Sequence, residues 1–188
     1  MDVELIVGEY DLARAYTRGL YADLAEDEIT WRPCADSSGI GWHLGHQAAV
    51  NHFLVRNLLS AEPSLDPALD ALFDAATPER DRGGLPSIAV TTRYREAVAA
   101  ATHAVIERVL AGRVGAPAQL RHVLARVLTG AINHEYQHDT WICEVREVIG
   151  RPPAPPPASV NVTLLEGYWV LDETGGRSLA ASPVTAEV

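Results

Sequence analysis

The sequence predicts an all-α fold: a four-helix bundle running up-down-down-up, followed by a Pro-rich linker and a short extended or β tail. Three observations carry this. Four long segments repeat apolar residues at helical spacing. A proline- and glycine-containing connection separates the second from the third. The run R-P-P-A-P-P-P-A stops the fourth. A connection that long lets the second and third helices run parallel, which a short loop forbids.

The first helix is predicted over residues 3–24, where Leu5, Leu12, Tyr16, Leu20 and Leu24 recur at intervals of four or seven. Trp31-Arg32-Pro33 ends that stretch, because Pro33 disfavours helical backbone at Arg32. Asp36, Ser37 and Ser38 offer N-caps for a second helix over 39–60, which carries Ile40, His43, His46, Val50, Phe53 and Leu54. Residues 61–84 hold Pro63, Pro67, Pro78, Gly83 and Gly84 and form the crossover, with a short helix at 67–75. Pro86-Ser87 signals the start of a third helix that runs to about residue 111. Gly112, Gly115 and Pro117 punctuate the turn before a fourth, over 118–149, stopped at Gly150. The bundle domain is therefore 1–150, the semi-rigid linker 151–159 and the tail 160–188. In the tail, V-N-V-T-L-L-E-G-Y-W-V-L followed by D-E-T-G-G reads as one strand or a hairpin.

Composition narrows the function. A net charge of -10 without a basic run argues against nucleic-acid binding, which depends on neutralising phosphates. No apolar run is long enough to span a membrane, and M-D-V-E-L-I-V lacks the pattern of a signal peptide, so a cytoplasmic location is expected. All 15 basic residues are arginine, the mark of a GC-rich genome, and that excludes a Schiff-base lysine mechanism. Cys34 and Cys143 make neither a disulfide framework nor a C-x-x-C site.

The chemistry centres on Ala131 to Trp141, A-I-N-H-E-Y-Q-H-D-T-W. His134 and His138, four apart on a helix, stack on one face within reach of one metal ion. The same residues spell H-E-x-x-H, in which Glu135 would serve as general base; an ion-paired helix carboxylate is the competing reading. Five other histidines compete for the third ligand position: His43, His46, His52, His103 and His122. His43 and His46 lie three apart near the start of the second helix and can face one side. Trp42, Tyr136 and Trp141 flank these positions and read mainly as core aromatics.

The stretch L-A-E-D-E-I-T-W-R-P-C-A-D-S-S-G-I-G-W-H-L-G-H-Q-A-A resembles the second-helix signature of the DinB/YfiT-like superfamily. H-E-Y-Q-H-D-T-W-I-C-E-V-R-E-V-I-G resembles its fourth helix. Carried over motif to motif, the resemblance implies metal ligation by His46, His134 and His138. It implies a divalent cation, zinc or nickel first and iron as a further candidate, and an enzyme acting on a small molecule, often as a homodimer. Relatives transfer bacillithiol or mycothiol, or use mycothiol to isomerise maleylpyruvate. The GC-rich composition suggests mycothiol.

Three neutral imidazoles leave an open position on the ion, as in catalytic rather than closed structural sites. A thiol bound there would ionise at neutral pH and attack an electrophile. Three other readings stand beside thiol transfer or isomerisation. Iron-dependent C–S chemistry, as in ergothioneine-type sulfoxide synthases, would need a glutamate where this chain has Thr140. A zincin peptidase would need a sheet and a downstream third ligand. A non-catalytic metal-binding stress protein is the fourth reading.

Overall fold

The computed structural model describes residues 3–78, 82, 84–113, 117–153, 160–165, 168–173 and 177–180. These residues are mostly helical. The helices are α1 (Val3–Tyr21), α2 (Glu26–Thr30), α3 (Ile40–Val55), α4 (Pro67–Leu72), α5 (Ile88–Leu110) and α6 (Pro117–Val148). Strands β1 (Val160–Leu165), β2 (Tyr168–Glu173) and β3 (Arg177–Ala180) form an antiparallel sheet in that order. Val160 lies opposite Glu173, and Glu173 opposite Arg177. Most of the Pro-rich run, residues 154–159, lies outside the described residues, as do Gly83, Gly115 and residues 181–188.

Several boundaries differ from the sequence reading for local reasons. The first helix stops at Tyr21, and a separate short helix, α2, follows. Glu28 starts α2 by accepting from the Ala25 amide at 2.8 Å. None of Asp36, Ser37 and Ser38 caps α3; the N-cap is Gly39. Ser37 instead closes a turn with Cys34, accepting from its amide at 3.0 Å and donating to its carbonyl at 2.9 Å. A Cβ on Gly39 would lie 2.8 Å from the Trp31 carbonyl oxygen, so the chain can pass there only as glycine. The last turn of the second long segment widens into a π-helical turn, Arg56–Ser60, which ends at Ala61 in left-handed backbone (φ 54°). Asp66 caps α4 by accepting from the amides of Ala68 and Leu69 at 3.1 and 3.0 Å. The hydroxyl of Ser87 does not cap α5; the Glu26 carboxylate accepts from Ile88 N at 2.9 Å in its place. Gly150, at φ 75°, ends α6 with Arg151 N donating to the Arg146 carbonyl at 2.8 Å.

Side-chain bonds give the directions of the four long helices. Thr17 meets Glu135 and Asp139, and Leu20 meets Arg146, so α1 and α6 run the same way. Leu44 and Gln47 meet Arg95, and Asn51 meets Thr102, so α3 and α5 also run the same way. His43 meets His138, which sets α3 against α6. One apolar cluster fills the end where Ile6, Val55, Val109, Leu124 and Leu128 pack. A second gathers Leu20, Ile40, Leu44, Ile142 and Val145. Each such fully buried branched side chain contributes roughly 1.5–3 kcal/mol by leaving water. Between the two clusters the helix interior turns polar, and the histidines stand beside that layer.

Candidate metal centre

Each histidine of the candidate set is delivered by a helix whose register is held by apolar packing. On α6, His134 and His138 are one turn apart with ring centroids 4.4 Å from each other. On α3, the His46 ring lies 5.0 Å from that of His134 and 4.8 Å from that of His138. One nitrogen from each of the three falls within 4.8 Å of the others, an arrangement that could hold a metal ion. His46 and His138 are buried and His134 is half-buried.

The donors are in the form a cation needs. Burial, then the nearby His46, pushes His134 down to about 4. Burial, then His134 and His43, pushes His138 down to about 2. Burial also lowers His46. All three imidazoles are therefore neutral at neutral pH, with lone pairs available to an ion. The Nδ1 of His46 lies 2.6 Å from the Phe73 carbonyl oxygen. A carbonyl only accepts, so Nδ1 carries the proton and Nε2 is left as the ligand atom.

The crossover segment builds this support. Phe73 follows α4 and packs over Gly45, where a Cβ would fall 2.2 Å from its ring. Only glycine at 45 lets Phe73 come close enough to present its carbonyl to His46. On the other side, the Trp42 ring stacks on His46 with centroids 4.5 Å apart and planes 13° from parallel. The Arg82 guanidinium covers Trp42 at 3.7 Å from the ring centroid. Arg82 is held by Ser38 Oγ at 2.9 Å and by the carbonyls of Thr77 and Ala75 at 2.9 and 3.2 Å.

Glu135 stands elsewhere. Its carboxylate is buried, accepts from Thr17 Oγ1 at 2.8 Å and pairs with Arg95 Nη2. Arg95 also donates to the Leu44 carbonyl at 2.6 Å and to Gln47 Oε1 at 2.9 Å. Gln47 Nε2 donates to the Glu135 carbonyl and to Asp139 Oδ1, both at 2.9 Å. Asp139 is held beside this pair by Thr17 and Gln47, and burial together with the Glu135 charge pushes it up to about 8. The expected general base is therefore bound into an interior polar layer rather than turned toward the ring nitrogens.

Three of the other histidines, His52, His103 and His122, stand apart from the set. His52 Nε2 accepts from Leu65 N at 3.1 Å, and His103 pairs with Asp11 at 2.8 Å. His122 is exposed. His43 is buried at the edge of the cluster, its Nδ1 2.8 Å from His138 Nδ1. Trp141 is 39% exposed and meets His138 edge-on, with centroids 4.7 Å apart. A cavity of about 550 Å³ opens here, with Trp42, His43, His46, Arg82, His138 and Trp141 in its wall. His46 also borders a second cavity, of about 670 Å³, beside α4.

The sequence matches the family model of the DinB superfamily over residues 9–142, a span that holds all three histidines. The chain belongs to the DinB superfamily. No curated protein matches it. In this metal-dependent superfamily, the donors that fit a cation here are His46, His134 and His138. No helix among the described residues is long and apolar enough to cross a membrane.

Arg95, Thr17, Gln47 and Asp139 were not legible as site residues from the motifs. A signal was nonetheless present, because each lies among residues that read as core: Thr17 between Ala13 and Leu20, and Gln47 between Leu44 and Ala48. The Phe73 contribution is a backbone atom and leaves no trace in residue identity.

Proposed function

We propose that this DinB-superfamily chain is a divalent-metal-dependent enzyme that transfers a low-molecular-weight thiol, of the mycothiol type, to an electrophilic small molecule. The observation that carries the reading is the convergence of three neutral imidazoles from α3 and α6 beside a cavity of about 550 Å³. His46, His134 and His138 would hold a divalent cation, which would supply the charge that keeps a thiol ionised at neutral pH. The sulfur forms a bond to the electrophilic carbon, the leaving group departs with the bonding pair, and the thiol proton passes to solvent. Imidazole suits zinc, nickel, iron and copper alike, so the donors do not choose the metal; zinc or nickel is our first candidate and iron the further one.

The protein's own groups supply placement and shelter. Trp42 and Trp141 give the cavity apolar walls. Phe73 fixes the tautomer of His46. Glu135 is assigned a positioning role, because its carboxylate is already engaged by Thr17 Oγ1 and the Arg95 guanidinium. We read α1, α3, α5 and α6 as an up-down-down-up four-helix bundle, and the protein as a cytoplasmic homodimer. Sedimentation of the purified protein checks the dimer.

Elemental analysis of purified protein, beside His46→Ala and His138→Ala, tests the metal. One equivalent in the parent and none in either variant is expected. Thiol consumption is then followed with the loaded protein and a panel of electrophiles. Bound metal without turnover of any thiol would reduce the chain to a metal-binding protein.

A further inference from the structure

We propose that His43 is a positioning residue for the metal centre: its imidazole accepts the Nδ1 proton of His138 and holds that ring with Nε2 toward the cation. The inference rests on the metal reading above and adds a residue to it. The two Nδ1 atoms are 2.8 Å apart, a distance that requires one proton between them. Two imidazole nitrogens bound tetrahedrally to one zinc stand about 3.4 Å apart. The shorter separation marks a hydrogen bond rather than shared ligation.

His43 is itself fixed. Its ring meets Trp42 edge-on at 5.5 Å and lies 5.5 Å from the ring of Trp141. A neutral imidazole has one donor and one acceptor nitrogen. With its acceptor on His138, the proton of His43 is on Nε2.

A metal-bound histidine ordinarily gives its outer N–H to a carboxylate, a carbonyl or water. His46 has the Phe73 carbonyl. The α6 carboxylates nearest His138 in sequence, Glu135 and Asp139, are directed to Thr17, Gln47 and Arg95. That leaves His43 as the group that reaches His138. Both outer partners are then uncharged, so nothing in them offsets the double charge of a bound cation.

The test is the zinc and cobalt affinity of the full-length chain, measured by chelator competition for the parent, His43→Leu, His43→Phe, His43→Asn and His138→Ala. Removing the acceptor with leucine or phenylalanine is expected to weaken binding roughly 10–100-fold. Helix content and urea midpoint of the metal-free protein stay at the parent values in at least one of the two. Asparagine places an acceptor oxygen near the Nδ1 position and recovers most of the affinity. The cobalt absorption bands of His43→Asn keep the parent intensity, because the ligand set is unchanged. Parent affinity in both apolar variants overturns the proposal. Metal loss as complete as in His138→Ala, without rescue by asparagine, also overturns it, because His43 would then be a ligand. A parent that binds neither zinc nor cobalt overturns the metal reading itself.

Discussion

Arg95 on α5 and Glu135 on α6 form an ion pair in the protein interior, with Glu135 the residue immediately after His134. Breaking a buried pair from one side leaves an uncompensated charge and typically costs about 3–5 kcal/mol. Arg95→Met is therefore expected to lower the unfolding free energy by about that amount, as read from urea denaturation. Arg95→Met combined with Glu135→Met removes both charges and should cost less than the single change. Equal or greater loss in the double variant would show that the pair is not the source of the effect.

Metal loading should raise thermal stability. A ligand at one hundred times its dissociation constant adds about 2.7 kcal/mol to the folded state. In a chain of this size that is a rise in Tm of about 5–10 °C. Calorimetry with added zinc and again with excess chelator checks this. The rise should be absent in His46→Ala.

The buried titrating groups give stability two opposing pH dependences. Asp139, at about 8 against an ordinary 3.8, keeps a proton that the unfolded chain has released. Its stabilising contribution is present below pH 3.8 and is lost as pH rises through 8. His134, at about 4 against 6.5, works the other way: its contribution is present above pH 6.5 and is lost as pH falls through 4. Asp139→Asn keeps an acceptor for Gln47 and a donor for Thr17 without the proton. Urea midpoints of chelator-treated protein should then no longer decline between pH 6.5 and 8.5, while the decline below 6.5 persists. A parent and variant that fall equally at high pH would refute the assignment.

Two glycines on neighbouring helices should respond in opposite senses. Gly45→Ala forces Phe73 off the α3 surface and draws its carbonyl from His46. Overpacking of this kind costs about 1–3 kcal/mol, and loss of the outer partner weakens metal binding roughly 10–100-fold. Gly130 is exposed within α6 with nothing within 4 Å of an added Cβ. Gly130→Ala should stabilise the protein by about 0.5–1 kcal/mol and leave metal affinity unchanged.

The long helices were legible because their apolar spacing is a property of each segment alone. His134 and His138 were legible because one helical turn brings them together. The residues that hold the site were harder to find, since they act between segments. Thr17, Gln47, Arg95, Glu135 and Asp139 come from four helices and meet only after packing, each in a stripe that otherwise reads as core. Residue type says that Glu135 can be a base; only its neighbour Arg95 says that it is engaged. The short helix α2 and the π-helical turn escaped for a related reason: one depends on a side chain reaching back to its own cap, the other on a widened register without a composition mark.

The crossover between α3 and α5 reaches His46 by two routes, through the Phe73 carbonyl and through Arg82 stacked on Trp42. Binding at His46 and order in that crossover are consequently linked quantities, and such linkage is reciprocal. A cation strengthens the loop by the same factor that an ordered loop strengthens cation binding. Protease attack on bonds around α4 should therefore slow on metal addition, in proportion to the affinity, while cleavage elsewhere does not change. The susceptibility of this one connection is thus a gauge of occupancy that needs neither a substrate nor a chromophore.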